Sequence, residues 1–468
     1  MQLNKKRSSH FILDVMYLMF VVMSYIFWQE RIINQDTAFT SFNLTVFQNF
    51  DIAHYRFTDV FTQIIPIGLS KLGFGLKTIL VSYSLALALL PYLLFRYVLY
   101  NLQDKGIAWL MFLVQMLLVS EYFFDAISQS KIAMALTLLT IAWFKNKRTI
   151  NKKWKYYLTG FILICITLVS HPISFPLLLI GFVWLWANNT IPIRSTLFFT
   201  IGLIIVFYIK QVLLPSSGYE SNFISKITNI ENINSLIQEN YVLTFLKAKF
   251  NSIYFIGVLL FVILFFRLIK YNERKMAFVY LLCNLGLFAV MLITFKQGES
   301  NMMMEKNLST LAFTILLPFI GTQESLWLPL KSFRIKLMLP LLSLFFLHRI
   351  HKAGIEYTYK QEMIAQLVET ARTQGHKKYL IHSDDLKNTA QVNIWSLPFE
   401  TLLQSSLNGP QGSISIKNIN EVDFWRGFHN KTDAFIGPDF FMPYNQKQLP
   451  ENLYYLGNEK YYLLKVNQ

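Results

Sequence analysis

Long apolar segments recur along the chain up to residue 348, and polar segments separate them. A helix that crosses the hydrocarbon core of a bilayer needs roughly 17–25 apolar residues. The pattern predicts an all-α transmembrane domain over residues 1–348, in which the fourth, sixth, tenth and eleventh spans are short. The eleven predicted spans are residues 11–29, 76–99, 106–122, 130–144, 156–170, 173–187, 195–214, 252–269, 276–295, 308–322 and 335–348.

Residues 349–468 follow a different pattern, with fewer apolar residues and more residues typical of turns. Residues 356–374 carry apolar side chains at helical spacing and are followed by Gly375, which predicts a helix. Pro398 marks the start of another helix, and short strands are predicted between the turns. These strands lie in KKYLIHS, SISIKN, DAFIG, YYLG and YYLLKV. We therefore expect a small C-terminal α/β or α+β domain.

The basic residues indicate how the predicted spans are oriented. Lys and Arg are frequent in alternate loops, such as 145–155, 267–275 and 331–336, and scarcer in the loops between them. Cytoplasmic loops typically carry this excess of positive charge. We expect the N-terminus in the cytoplasm and the C-terminal domain on the outer side. No small-x-small cleavage site follows residues 11–29, so this segment is expected to be a retained anchor.

The composition supports a membrane protein and excludes two other classes. Hydrophobic residues make up 54% of the 468 residues and charged residues 15%, with a mean hydropathy of +0.38, whereas soluble domains carry about 25% charged residues. The net charge of +16 is spread between apolar spans, so no basic face for nucleic acid is expected. Both cysteines, Cys165 and Cys283, lie in apolar segments, which argues against a disulfide framework or a thiolate metal site.

A polar loop, residues 30–75, is predicted directly after the first span, on the outer side. Asp36 lies shortly after that span, where a partly dehydrated carboxylate could serve as a general base. A solvated loop aspartate, or the N-cap of a helix that begins at Thr37, is an equally good interpretation. Asp51 and Asp59 are the alternatives for the same catalytic role.

Four basic side chains on the outer side are candidates for binding a phosphate. Arg56 lies in the same loop and can form bidentate hydrogen bonds. Lys131 and Lys306 are predicted at the outer starts of the fourth and tenth spans, and His171 in a very tight outer turn before Pro172. Ordinary placement of polar groups at helix ends, or a local Glu305–Lys306 ion pair, would explain the same pattern.

Further polar residues are candidate contacts for a sugar or an acceptor: His54, Glu121, Asp125 and Glu299. Glu121 and Asp125 are predicted one helical turn apart at the outer end of the third span, so they could share a face. A metal site there would be conceivable, but the first loops contain no Asp-x-Asp motif. We therefore predict neither a metal nor another cofactor.

A second outer loop is predicted over residues 215–250. Ile and Leu recur there at three- and four-residue spacing between residues 224 and 237. This spacing predicts an amphipathic helix that lies in the membrane interface or packs against the ends of neighbouring spans.

The layout resembles that of the bacterial GT-C type membrane glycosyltransferases. The features that resemble this family are the N-terminal anchor, the first outer loop with Asp36 in the stretch INQDTAF, the many further spans and the outer C-terminal domain. The resemblance implies a polyprenyl-phosphate-linked sugar donor, an inverting transfer to a glycan, lipid or protein acceptor, and a location in the bacterial cytoplasmic membrane. It also implies that the acid of the first outer loop is the base. The chain departs from the oligosaccharyltransferase branch, because it contains no WWDYG-like motif.

Two other functions are compatible with the same pattern. An envelope polysaccharide polymerase or ligase usually depends on arginines in outer loops, and here the loops between spans offer Arg31 and Arg56. A scaffold or a transporter component of an envelope complex, with protein partners, is the third possibility. No Walker loop, GxGxxG, HExxH or GxSxG motif points to another enzyme class.

Overall fold

A computed structural model describes residues 2–146, 153–214, 240–249, 254–294, 301–321, 333–386, 395–419, 427, 429–437 and 443–466. Helices dominate these ranges. They are α1 (Gln2–Ile26), α2 (Trp28–Ile32), α3 (Gln35–Phe47), α4 (Val60–Lys71), α5 (Leu76–Arg96), α6 (Lys105–Met116), α7 (Gln129–Lys145), α8 (Lys153–Leu168), α9 (Ser174–Ala187), α10 (Ile193–Leu213), α11 (Tyr241–Lys249), α12 (Phe255–Lys270), α13 (Arg274–Thr294), α14 (Asn301–Ile315), α15 (Phe333–Thr373) and α16 (Leu397–Ser406).

The helical domain contains segments that match a bilayer in length and composition. Within the described ranges, Leu76–Asn101, Ile193–Leu213 and Arg274–Thr294 are long and apolar enough to cross a membrane. Further apolar helices, over Phe11–Ile26, Lys105–Met116, Trp154–Leu168 and Ser174–Ala187, are shorter. The prediction of a helical membrane protein therefore holds, whereas eleven full spans are not confirmed.

The third predicted span, residues 106–122, is wrong in its length. Helix α6 ends at Met116, and Leu118 adopts a left-handed φ of 63° before a short 3-10 helix, Glu121–Phe124. At 1.5 Å per residue α6 is only about 18 Å long, shorter than the hydrocarbon core of about 30 Å. Because of this break, Glu121 and Asp125 do not share the face of an α-helix, contrary to the prediction.

The predicted first outer loop, residues 30–75, is largely helical rather than a polar loop. It contains α2, α3 and α4, and α3 buries one face that includes Ala38, Phe42 and Thr45. The Phe42 ring contacts Phe399 and Phe435 of the C-terminal region, at centroid distances of 4.9 and 5.1 Å. The apolar residues of this segment thus pack against the C-terminal domain, which explains why it folds.

Helix α15 joins two elements that the sequence pattern predicted as separate. The predicted span 335–348 and the predicted helix 356–374 form one helix of 41 residues, about 60 Å long. This length is about twice the thickness of a hydrocarbon core. The boundary placed between residues 348 and 349 lies inside this helix.

The C-terminal region combines helices with short strands, as predicted, although the strand predicted in YYLG (454–457) does not form. Strands β1 (Lys378–His382), β2 (Ser415–Ile419) and β5 (Tyr462–Leu463) form a parallel sheet in the order β2-β1-β5, with Leu380 paired to Lys417 and Leu463. Strands β3 (Ala434–Phe435) and β4 (Tyr444–Asn445) form an antiparallel pair. Helix α16 packs between β2 and α3, so it connects the sheet to the region that follows the first helix.

The remaining predicted elements agree in part. Spans at 130–144, 156–170, 173–187, 195–214, 252–269 and 276–295 correspond to α7, α8, α9, α10, α12 and α13, and span 308–322 is replaced by α14 and a 3-10 helix at Leu317–Ile320. The amphipathic helix predicted between residues 224 and 237 lies outside the described residues.

Candidate active site

Asp36 lies in the first turn of α3, at the wall of a small cavity. The cavity has a volume of about 10 Å³, which is room for about one water molecule, and is lined by Asn34, Gln35, Asp36, Thr37, Asp125 and Met302. Much of the Asp36 side chain is also exposed on the outside of the fold. Within the described residues, neither its carboxylate nor that of Asp125 accepts a hydrogen bond from another side chain. Asp36 does not act as the N-cap, because Asn34 holds that position.

The environment of Asp36 suits a general base. Partial burial and the nearby negative charge of Asp125 raise the pKa of Asp36, and Lys306 lowers it, so that the pKa is about 6. The carboxylate is therefore mostly ionised at neutral pH, yet it is a stronger base than an ordinary aspartate.

Three residues of the C-terminal half hold the chain that precedes Asp36. Lys360 of α15 donates from Nζ to Asn34 Oδ1 (2.8 Å) and to Glu400 Oε1 (3.0 Å). The same Glu400 oxygen accepts the backbone N–H of Gln35 at 2.7 Å. Gln361 Nε2 donates to the Ile33 carbonyl at 2.5 Å. These contacts hold the Ile33 carbonyl, the Asn34 side chain and the Gln35 N–H, directly before Asp36.

Glu305 holds the broken segment after α6. Its carboxylate accepts the N–H and hydroxyl of Ser120 (2.8 and 2.6 Å), the N–H of Tyr122 (2.8 Å) and the hydroxyl of Tyr254 (2.9 Å). The carboxylate thus satisfies two backbone N–H groups, those of Ser120 and Tyr122, that a continuing helix would otherwise have paired. Glu305 therefore forms no local ion pair with Lys306, which the sequence had left open.

Two buried cations hold the other side of the same segment through its carbonyl groups. Lys131 Nζ donates to the carbonyls of Tyr122 (2.7 Å), Asp125 (2.8 Å) and Phe123 (3.5 Å). Arg31 Nε reaches the Phe123 carbonyl at 3.4 Å. The ammonium group of Lys131 is thus engaged by backbone oxygens, so in this structure it fixes the position of Asp125 instead of facing the cavity.

Arg56 belongs to a buried polar relay with Gln129 and Asp59. Arg56 Nη1 donates to Gln129 Oε1 (2.6 Å), and Gln129 Nε2 donates to Asp59 Oδ2 (3.0 Å). Burial raises the pKa of Asp59 to about 7, although Gln129 and Arg56 counteract it. Asp51 accepts from Asn43 Nδ2 at 3.2 Å. Asp51 and Asp59 are engaged in this way, whereas Asp36 faces open space.

His171 lies near several cations. Its Nδ1 accepts the backbone N–H of Ile173 at 3.2 Å, so the ring is neutral with Nε2 protonated. Burial and the positive charges of Arg56, Lys306 and other cations hold the pKa of His171 well below its usual range. Lys306 is half-buried, and within the described part of the chain its ammonium group has no hydrogen bond or ion pair. A region with several nearby positive charges and a neutral N–H donor is suited to an anion.

The residues predicted to contact a sugar or an acceptor differ in their surroundings. Glu121 accepts from Asn301 Nδ2 at 3.1 Å, and burial together with the charge of Glu305 raises its pKa to about 7. His54 is exposed, and both it and Tyr55 adopt left-handed φ angles of 53° and 58°. Glu299 lies outside the described residues.

The structure brings together most of the residues that the sequence singled out. Asp36, Asp125 and Lys306 interact electrostatically, and Lys306 also interacts with Arg56. The contributions of Lys360, Glu400, Gln129 and Glu305 were missed. No sequence signal marks the first three as site residues, since their partners lie far away along the chain.

The described residues contain no group of three or more His, Cys, Asp or Glu side chains arranged to hold a metal ion. No protein-family model, no curated protein and no solved structure matches the chain.

Proposed function

We propose that the chain is an inverting membrane glycosyltransferase that transfers a sugar from a polyprenyl-phosphate-linked donor to an envelope acceptor. The reaction would occur at the outer face of the bacterial cytoplasmic membrane, with the N-terminus inside and the C-terminal domain outside. One observation carries the proposal: a carboxyl group of raised pKa, Asp36, lies near a half-buried cation, Lys306, which has no partner among the described residues. Glycosyl transfer needs both a base for the acceptor hydroxyl and a cation for the leaving phosphate.

In the proposed reaction Asp36 accepts the proton of the acceptor hydroxyl while the hydroxyl oxygen attacks the anomeric carbon. The bond between that carbon and the phosphate oxygen breaks, and the phosphate takes the electron pair. Lys306 and Arg56 stabilise the charge that develops on the leaving polyprenyl phosphate, and the Nε2–H of His171 can donate a hydrogen bond to it. Lys131 acts as a positioning residue through the Asp125 segment.

The location of the site at the end of apolar helices supports a lipid-linked donor. Asp36 lies shortly after the end of α1, with only the short helix α2 between them. The long apolar span of α5 begins at Leu76. A polyprenyl chain would lie among the lipid-facing helices while its phosphate lies at the headgroup level. His54, Glu121, Asp125 and Glu299 remain the proposed contacts for the sugar or the acceptor.

The test uses the full-length protein in lipid nanodiscs with a polyprenyl-phosphate-linked hexose and membrane extract as the acceptor source. Release of polyprenyl phosphate is measured for the native chain and for Asp36→Asn. We expect release by the native chain and a loss of roughly 10²–10⁴-fold in the variant, the typical contribution of a general base. Growth of a polymer with release of the pyrophosphate would identify a polymerase or ligase, and equal background in both proteins would favour a scaffold or transporter component.

A further inference from the structure

A buried ion pair lies at the junction between the C-terminal domain and the segment that carries Asp36. Lys360 Nζ and Glu400 Oε1 are 3.0 Å apart, and their side chains are 3% and 0% exposed. Lys360 comes from the part of α15 that follows the predicted membrane domain, and Glu400 comes from α16.

The contacts of this pair are directed at the backbone and side chains just before Asp36. Glu400 Oε1 accepts the Gln35 N–H, the Lys360 ammonium and the Ser396 hydroxyl, while Lys360 also donates to Asn34. Asn34 and Gln35 both line the small cavity beside Asp36. The pair therefore contacts the wall of the candidate site without touching Asp36 itself.

The backbone at Gln35 has an unfavourable conformation that the neighbouring hydrogen bonds stabilise. Gln35 has a left-handed φ of 44°, a conformation that non-glycine residues adopt only when their surroundings enforce it. The hydrogen bond from Gln35 N–H to Glu400 and the bond from Gln361 Nε2 to the Ile33 carbonyl hold the residues on both sides of Asn34. Without these bonds, the first turn of α3 could relax and Asp36 would move.

We infer that Lys360 and Glu400 are positioning residues, which make the geometry of Asp36 depend on docking of the C-terminal domain. The inference rests on the proposed function in so far as Asp36 is the base. A displacement of about 1 Å in a catalytic group can reduce a rate by about 10²-fold. Loss of the pair should thus reduce turnover far more than it changes the binding of the donor.

The principal test is the double variant Lys360→Met/Glu400→Leu, which removes both charges together and keeps apolar bulk in a buried site. Replacing a buried pair in this way often leaves a fold stable. We expect a melting temperature close to that of the native protein, a fall in kcat of about 10-fold or more and little change in KM. The matched control is Arg372→Met/Glu369→Leu, an exposed ion pair on the same helix, which should retain full turnover.

A second measurement needs no sugar donor, so it separates failure of this inference from failure of the proposed function. In a Cys165→Ala/Cys283→Ala background, Asp36→Cys is alkylated with a maleimide, and Lys71→Cys serves as an exposed reference. Adding the double variant should raise the rate at position 36 several-fold and leave the rate at position 71 unchanged.

Two outcomes would overturn the inference: native turnover in the folded double variant, or an unchanged alkylation rate at position 36. If the double variant does not fold, Gln361→Met replaces it, because this change removes one neutral hydrogen bond to Ile33. It should also raise the alkylation rate at position 36, about 2- to 5-fold for the loss of a bond worth about 0.5–1 kcal/mol. An unchanged rate in that variant would likewise refute the role of the junction.

Discussion

The charge of Asp36 should control the pH dependence of sugar transfer. Its pKa is raised to about 6 by burial and by Asp125, and is lowered by Lys306. A base must be ionised to accept a proton, so turnover should rise as the pH passes through 6. With this pKa about a tenth of the carboxyl groups are ionised at pH 5 and about nine tenths at pH 7, which predicts a roughly tenfold increase.

Two neighbouring substitutions should move this transition in opposite directions. Asp125→Asn removes a negative charge, so the pKa of Asp36 should fall and the transition should move to lower pH. Lys306→Met removes a positive charge, so the transition should move to higher pH. Initial rates of polyprenyl phosphate release between pH 4.5 and 8 measure these shifts at fixed donor concentration.

The reasoning fails if the two variants shift the transition in the same direction or leave it in place. Asp51→Asn and Asp59→Asn are the controls, since their carboxyl groups are engaged by Asn43 and by Gln129. If Asp36→Asn retains native turnover while Asp51→Asn or Asp59→Asn is inactive, the base is another residue of the same segment. Activity in all three variants would exclude catalysis by this segment.

Three further predictions concern binding, stability and topology. Arg56→Ala should weaken donor binding by about 1–3 kcal/mol in a filter or calorimetric assay, with partial recovery in Arg56→Lys, and unchanged affinity would remove Arg56 from the site. Glu305→Ala should destabilise the fold by about 3–5 kcal/mol, because four donors lose their acceptor. Tyr254→Phe removes only one of these donors and should cost about 1 kcal/mol. Similar melting temperatures for the two variants would contradict the structural role of Glu305. Cysteines placed at Lys270 and at Glu451, both exposed, should react with an impermeant reagent from opposite sides of the membrane, and labelling from one side would refute the proposed orientation.

The sequence pattern predicts the helical class well because apolar length is a local property. Helices α10 and α13 begin and end within two residues of their predicted bounds. The failures occur where tertiary contacts override local apolarity. Residues 117–120 are apolar or weakly polar, yet the helix stops at Met116, because Glu305 and Lys131 bind the backbone groups of the following segment.

The helices in residues 30–75, which were predicted to form a polar outer loop, were missed for a related reason. Its polar residues suggested exposure, but α3 buries Thr40, Ser41 and Thr45 along with Phe42. The hydroxyl of Thr45 bonds back to the Ser41 carbonyl and lies 2.7 Å from the Tyr454 hydroxyl, more than four hundred residues away. A partner that distant along the chain leaves no periodic signal in the sequence.

The candidate site was easier to predict in its residue types than in its architecture. Asp36, Arg56, His171 and Lys306 were singled out by their position beside predicted spans, and the structure places Lys306 near the other three. The pairing of Lys360 with Glu400 could not be inferred, because one lies in a helix of the predicted outer domain and the other forty residues later.

The charges around the site divide into two groups according to the atoms that they contact. Arg31, Lys131 and Glu305 are buried and bind mainly backbone atoms or hydroxyl groups, so these charges stabilise one arrangement of the chain. Asp36 and Lys306 have no such bonds within the described residues, which leaves their charges available to a substrate. An ionised group that is partly removed from water and left without a partner costs free energy in the folded protein. Such a cost is typical of a functional site, since a substrate that supplies the opposite charge or accepts the proton recovers it.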